Sequence, residues 1–194
     1  MRKLWLVVGV LLSTVWISGC SLFNPPSVAA PIVENMVQNG SFEDGLEHWS
    51  INFEGEGKSV DIDTEVAVDG SKSLRLFMSV QGTSIGLNQR IEVVPGQKYR
   101  IRGAARSGDD FVLAQNPIPN GILLRIQYLD ANNVNLQQHS LFFLEGTDGE
   151  WIYIDEVITI PESAIKIWFE PMLFRANGTI WWDDLSMVPC DDCD

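Results

Sequence analysis

The chain has 194 residues, 45% of them hydrophobic, which is enough for one domain with a full core. Acidic residues outnumber basic ones 26 to 13, for a formal charge of −13. That balance argues against nucleic acid as a partner and against charge-driven attachment to anionic lipid, and it is compatible with a cell-surface protein, a neutral ligand or bound cations.

In chain order, the first element is a targeting segment. Arg2 and Lys3 are followed by an almost wholly apolar run from Leu4 to Val15, the length of a signal-peptide core and short for a membrane span. It closes on Ile17-Ser18-Gly19-Cys20, which resembles the lipobox of bacterial lipoproteins. The resemblance implies a signal peptide over 1–19 and a diacylated, palmitate-type anchor on Cys20. The alternative is an ordinary signal peptide that happens to contain a cysteine. Loss of Arg2 and Lys3 would take the charge from −13 to −15. Residues 20–34 read as a Pro-containing tether, with Pro25, Pro26 and Pro31 and no charge between 21 and 33. Ser21 lacks the inner-membrane retention signal that Asp gives in diderm bacteria, so the expected place is extracytoplasmic and lipid-anchored, at the outer membrane if the cell is diderm. No further run of eighteen apolar residues follows.

From 35 to 188 the pattern is strand-like: short segments rich in Val, Ile, Phe, Tyr and Trp, separated by Gly, Asn, Asp and Pro. The expected strands are Ser59–Asp63, Ser73–Val80, Ile85–Val93, Tyr99–Arg106, Gly121–Leu129, Ser140–Leu144, Trp151–Ile160, Ala164–Phe174 and Thr179–Val188. About nine strands at this spacing predict an all-β sandwich. Alternation sorts each strand into two faces. Ile122, Leu124, Ile126 and Tyr128 oppose Leu123, Arg125 and Gln127. Ile165, Ile167, Phe169 and Leu173 oppose Lys166, Trp168, Glu170 and Met172. Tyr99, Ile101 and Ala105 oppose Arg100, Arg102 and Arg106. In the last strand Trp181, Leu185 and Met187 share parity, leaving Trp182 opposite. The mixed outer faces are either solvated surface or a platform for a polar ligand.

At Asn35–Trp49 the sequence NMVQNGSFEDGLEHW resembles the opening of carbohydrate-binding modules of the family 4 and 9 type, jelly-roll modules often appended to cellulases and xylanases, which begin N-x-x-x-N-G-S/D-F-E-x-G-x-x-x-W. VDGSKSLRL (68–76), GLNQRIEVVPGQKYRIRGAAR (86–106), LRIQYLDANNVNL (124–136), EWIYIDEVITIP (150–161) and GTIWWDDLSMV (178–188) are similar to the later motifs of that family, in the same order. The resemblance implies a jelly-roll β-sandwich of the galactose-binding-like kind, from 35 to 188.

It also implies sites. A structural calcium would fall to Glu43 and Asp183, with carbonyls near Asn39 and from Ser71 and Lys72; calcium takes six to eight oxygens from such groups. The alternative reading is that the two carboxylates are solvated loop residues. Glycan binders stack aromatic faces on sugar rings and grip hydroxyls with amides, carboxylates and Arg. The candidates on outer faces are Trp168, Glu170, Trp182, Arg102, Arg125 and Gln127. Trp49 and Trp151 match positions that are usually core. Gln89 matches a family Gln but shares parity with Ile91 and Val93, which is also the pattern of a buried hydrogen-bonding amide. One departure is that Gly103-Ala104 stands where the family often has an aromatic.

No catalytic pattern appears. The paired-carboxylate spacing E-x-D-x-x-E of jelly-roll glycosidases is absent. His48 and His139 lack nucleophile partners at any known spacing. Residues 189–194 form an acidic tail with Cys190 and Cys193 in C-x-x-C, read either as a small disulfide or as a solvated, oxidised end. Two readings follow: a non-catalytic glycan-binding module on a lipid anchor, or an adhesion or assembly module that uses the same sandwich for protein contacts. Oligomeric state is not legible.

Overall fold

The structure is a computed structural model that describes residues 34–80, 82–115, 120–143 and 146–193. The expected signal peptide, Cys20 and most of the tether lie outside the described residues. The described chain is all β, with ten strands: β1 Ser50–Asn52, β2 Lys58–Asp63, β3 Ser73–Met78, β4 Ser84–Glu92, β5 Lys98–Ser107, β6 Gly121–Leu129, β7 Asn135–Phe143, β8 Ile152–Thr159, β9 Lys166–Phe174 and β10 Gly178–Pro189. Nine match the expected segments. The tenth is the three-residue β1, too short to show an alternation. β7 also begins five residues before the expected strand.

The strands form two five-stranded antiparallel sheets, ordered β1-β4-β9-β6-β7 and β2-β3-β10-β5-β8. Their apolar faces meet in one core. Ile122, Leu124 and Ile126 from β6 and Ile167, Phe169 and Leu173 from β9 are fully buried there, as alternation requires. From the second sheet come Leu74, Leu76, Tyr99, Ile101 and Trp182.

β10 breaks the simple alternation. Its register against β5 shifts by one residue between Asp183 and Ser186, and Asp184 takes a left-handed φ of 50°. This is a β-bulge, and an extra residue moves every later side chain to the opposite face. Ile180 and Trp182 before it, and Leu185 and Met187 after it, therefore all point inward. The expected outward position of Trp182 is thus corrected: the side chain is 0% exposed. Gly103 faces the bulge. A Cβ there would stand 2.6 Å from Leu185 Cδ2, so the absent aromatic of β5 is the room that Leu185 fills.

The segment before β1 straps across both sheets. The Leu185 N–H donates to the Gly40 carbonyl at 3.0 Å and the Met36 N–H to Met187 at 2.9 Å. Gly40 lies so close to β10 that a Cβ would overlap the Leu185 carbonyl oxygen at 1.9 Å, which is why the N-G pair is needed there. On the other side Gln89 Oε1 accepts the Gln38 N–H at 2.8 Å, and its Nε2 donates to the Gln38 carbonyl at 2.9 Å. Gln89 is thus a buried amide serving the strap as a strand edge would. Trp49 closes the strap, stacked on Phe42 at 5.5 Å with its Nε1–H donating to the Asn39 carbonyl.

The tail is held, not free. Cys190 and Cys193 are joined by a disulfide; the Cys190 N–H donates to the Lys98 carbonyl, and Lys98 Nζ donates to the Cys193 carbonyl at 3.3 Å.

Candidate functional site

Alternation on the first sheet sends a second set of side chains outward, away from the core. The strand registers set them in rows. Glu170 of β9 stands opposite Arg125 of β6, which stands opposite Ser140 of β7. One row along, Arg90 of β4, Trp168 of β9, Gln127 of β6 and Gln138 of β7 are aligned. Just beyond the Glu170 row, Pro171 in the central β9 has no N–H to give to the ladder, and the β4–β9 pairing skips Leu87 and Asn88. A proline in a central strand is unusual and marks an interruption of the ladder beside the site.

Glu170 is the floor of this face. It is 2% exposed, and both oxygens are fully engaged. Oε2 accepts Arg125 Nε at 2.6 Å and Gln127 Nε2 at 2.6 Å; Oε1 accepts Arg125 Nη2 at 3.1 Å and Asn52 Nδ2 at 3.1 Å. A carboxylate has about four lone-pair directions, so none is left over. Glu170 therefore does not offer a free acceptor to a ligand, the role its position suggested. It binds three strands, β1, β6 and β9, and aims their polar side chains. Gln127 in turn accepts Asn135 Nδ2 at 2.6 Å.

Above that floor lies a cleft of about 410 Å³, lined by Trp168, Arg125, Gln127 and Glu170 together with Asn52, Phe53, Asn88, Leu129, Asn133 and Asn135. The volume is in the range of small-molecule sites. Four of the six residues expected to grip a glycan are thus brought together. The lining that the sequence did not suggest is the amide set from β1, β4 and the β6–β7 turn, and Phe53. Asn52 and Asn88 belong to strand β1 and its neighbour, and only the register brings them over β9.

The other two expected residues lie elsewhere. Trp182 is in the core. Arg102 is on β5, in the second sheet, where it is 54% exposed and its Nε donates to Asp155 at 3.3 Å. Arg100 Nε reaches the same carboxylate at 2.5 Å and holds it below the usual carboxylate range. Outward parity was right for Arg102; parity does not say which sheet a strand joins.

The residues expected around calcium form a second cluster. Glu43 and Asp183 both hold the loop before β3. Glu43 Oε1 accepts the Ser71 and Lys72 N–H groups at 2.7 Å each, and Oε2 accepts Ser71 Oγ at 2.8 Å. These bonds, Ser71's first, lower its pKa. Asp183, fully buried, accepts Val68 N–H at 2.8 Å and Asp69 N–H at 3.1 Å through Oδ2, and Asp184 N–H at 2.8 Å through Oδ1. Burial pushes the Asp183 carboxyl up despite these bonds, with Asp69's charge adding to it; burial and Asp69 push Asp184 up as well. Lys72 Nζ donates to the Glu43 carbonyl. Asn39, at φ 50°, uses its side chain on the following turn, donating to Gly45 and Glu47 carbonyls and accepting from Asp44. The donor chemistry suits a hard cation. It combines hard oxygens with surplus negative charge, and an ammonium already sits on one carbonyl. Among the described residues no three His, Cys, Asp or Glu side chains converge as ligands. An ion at this corner would depend on carbonyls beside the two carboxylates.

Against this geometry stand the comparisons with known proteins. A family model described as "Carbohydrate binding domain" matches residues 34–170. The chain belongs to that family. No curated protein matches this carbohydrate-binding domain in sequence. Solved structures share its fold. The xylan-binding CBM22-1 domain of Paenibacillus barcinonensis Xyn10C superposes with a TM-score of 0.58 at 17% identity, covering 85% of this chain and 100% of that one. TmCBM61, solved with β-1,4-galactotriose, gives 0.55 at 16% identity, covering 81% and 99%. The enzymatically active domain of bacteriophage CBA120 tailspike protein 4 gives 0.64 at 17% identity, covering 80% of this chain and only 21% of that one. At these identities the likeness establishes the jelly-roll sandwich and leaves ligand and activity to the site.

Proposed function

We propose that this domain binds a glycan, without cleaving it, in the cleft over Glu170. The observation that carries the reading is the pairing of Trp168 with a row of amides on a floor whose carboxylate is saturated. A flat aromatic face takes sugar C–H groups, and amides both donate to and accept from hydroxyls. The neutralised Arg125–Glu170 pair leaves no spare carboxylate on the floor to act as a catalytic acid or base, which supports binding over hydrolysis. The test is affinity electrophoresis of the wild-type protein through gels containing xylan, β-1,4-galactan or mixed-linkage β-glucan. Retardation in at least one gel is expected. Unretarded migration in all of them, with a matching blank on a broad glycan array, would favour the protein-contact alternative.

The same proposal places the domain on a membrane through a diacylated Cys20, at the outer membrane in a diderm cell. The support is the charged start, the apolar run and the small-small-Cys ending. Wild-type protein should label with palmitate and partition into detergent, and Cys20→Ala should do neither. Unlabelled, freely soluble wild type would refute the anchor.

A structural calcium at the Glu43–Asp183 corner completes the proposal. Glu43, Asp183 and the carbonyls near Asn39, Ser71 and Lys72 would hold it. Its chemistry would be to neutralise Asp183 and Asp69 and to fasten the opening strap to the closing strand, stabilising the folded form alone. Chelation should then lower the melting temperature, and Asp183→Ala should remove most of that sensitivity. Identical melting of metal-stripped and calcium-loaded protein would show that the N–H contacts alone hold the corner.

A further inference from the structure

The two sheets end in four edge strands, β1 and β7 in one and β2 and β8 in the other. An edge strand presents unpaired N–H and C=O groups, and monomeric proteins guard it by shortness, charge, proline or a bulge. Three of these four are guarded. β1 has only three residues. β2 carries Lys58, Asp61 and Asp63, and β8 carries Asp155 and Glu156. β7 is different. It is nine residues long, Asn135–Phe143, and holds no Asp, Glu, Lys, Arg, Pro or Gly. Its register against β6 shifts only at its start, where Tyr128 gives way to Leu129. Among the described residues, no backbone group outside β6 hydrogen-bonds to it. Every second residue of β7 thus turns its N–H and C=O away from β6, towards no backbone partner among those residues.

The strand suits a copy of itself. Two antiparallel copies bring no like charges together, and Leu136, 40% exposed, gains shelter against the second strand. Full overlap sets His139, the middle residue of the nine, against its own copy on a two-fold axis, the closed arrangement of a homodimer. A formal charge of −13 on each chain opposes any self-association, and an uncharged strand is where that opposition is locally least.

We propose that β7 is the interface of a two-fold homodimer, pairing with β7 of a second copy to make one ten-stranded sheet. The outer faces of the two first sheets then form one surface. Trp168 lies two strands in from β7, in the row of Gln138, so the two Trp168 positions stand five strand spacings apart with their rows offset by two residues. That is on the order of 25 Å. Both clefts face the same way, which makes the dimer bivalent towards whatever the cleft binds.

The experiment uses the full chain in density-matched detergent and needs no ligand, so its failure leaves the glycan reading untouched. Sedimentation equilibrium over a concentration series should show monomer passing to dimer and stopping there. Hydrogen exchange should show amides of 135–143 gaining protection as the dimer forms. Added salt should tighten the dimer, because it screens two acidic copies from each other. Gln137→Lys combined with Gln138→Lys puts one lysine on each face of the strand, at exposed positions beside the axis. That variant should raise the dimer dissociation constant at least about tenfold, while Gln137→Thr with Gln138→Thr should dimerise as wild type does. Wild type that stays monomeric at every concentration refutes the interface, and so does a dimer that both lysines leave intact. Protection of 135–143 that is independent of concentration also refutes it, by placing another part of the same chain on the edge. Growth beyond two copies would overturn the two-fold closure.

Discussion

Glu170→Ala is expected to destabilise the domain by about 3–5 kcal/mol and to abolish ligand retention in the gel assay. The carboxylate is enclosed by four donors from two other strands, β1 and β6, and its main partner Arg125 is itself only 15% exposed. Deleting one member of a buried pair leaves the other charge without its counter-ion, and this is the costly event, more than loss of the pair's own attraction. Glu170→Gln should not rescue, because its amide N–H₂ would point at groups that donate. The double variant Glu170→Met with Arg125→Met separates stability from function. Replacing both charges with apolar groups of similar length should recover most of the stability. Binding should stay lost, because Asn52 and Gln127 no longer have the oxygens that aim them. Urea melts on the two single variants and the double variant, beside the affinity gels, check each step. A Glu170→Ala melt within about 1 kcal/mol of wild type would show that the floor is not an organiser.

That dependence also shows what was and was not legible beforehand. The sandwich was readable because inner-face apolar runs such as Ile122, Leu124 and Ile126 obey a period of two whatever their neighbours are. Trp168, Arg125 and Gln127 were readable for the same reason, as outward residues on two strands. The partners of Glu170 were not. Asn52 comes from a three-residue strand 118 positions earlier, and its arrival over β9 is a matter of sheet order, which alternation does not encode. Arg102 stood among the glycan candidates for the same reason: its outward parity was legible, but the membership of β5 in the other sheet was not. Trp182 failed differently. Its neighbourhood, Trp181-Trp182-Asp183-Asp184-Leu185, gives two consistent parities, one on each side of the bulge at Asp183–Ser186, and a count carried back from Met187 picks the wrong one. Two adjacent acids inside an apolar strand were the available signal of that bulge, since one of them, Asp183, is buried for its hydrogen bonds and the other, Asp184, takes the left-handed turn.

Trp168→Ala tests the cleft most directly, and the bulge supplies its control. Trp168 stands on the outer face between Arg90 and Gln127, with part of its ring open to solvent. Trp182 is wholly enclosed. The two substitutions remove the same atoms from opposite sides of the fold. Trp182→Ala should cost about 3–5 kcal/mol, since it leaves a cavity that the two sheets cannot close. Trp168→Ala removes no core contact and should cost no more than about 1 kcal/mol. Its effect on the ligand is the reverse. Burying one aromatic face against sugar C–H groups contributes on the order of 1–2 kcal/mol, and micromolar binding needs about −8 kcal/mol in all. Losing the ring should therefore weaken retention roughly tenfold, at every chain length, while Trp182→Ala protein that is still folded at low temperature should bind as wild type does. Thermal melts and affinity gels on the same two variants give the comparison. A Trp168→Ala melt as low as that of Trp182→Ala would move Trp168 into the structural class and leave the cleft without its stacking surface. A normal melt with undiminished retention would place the ligand somewhere other than over Glu170.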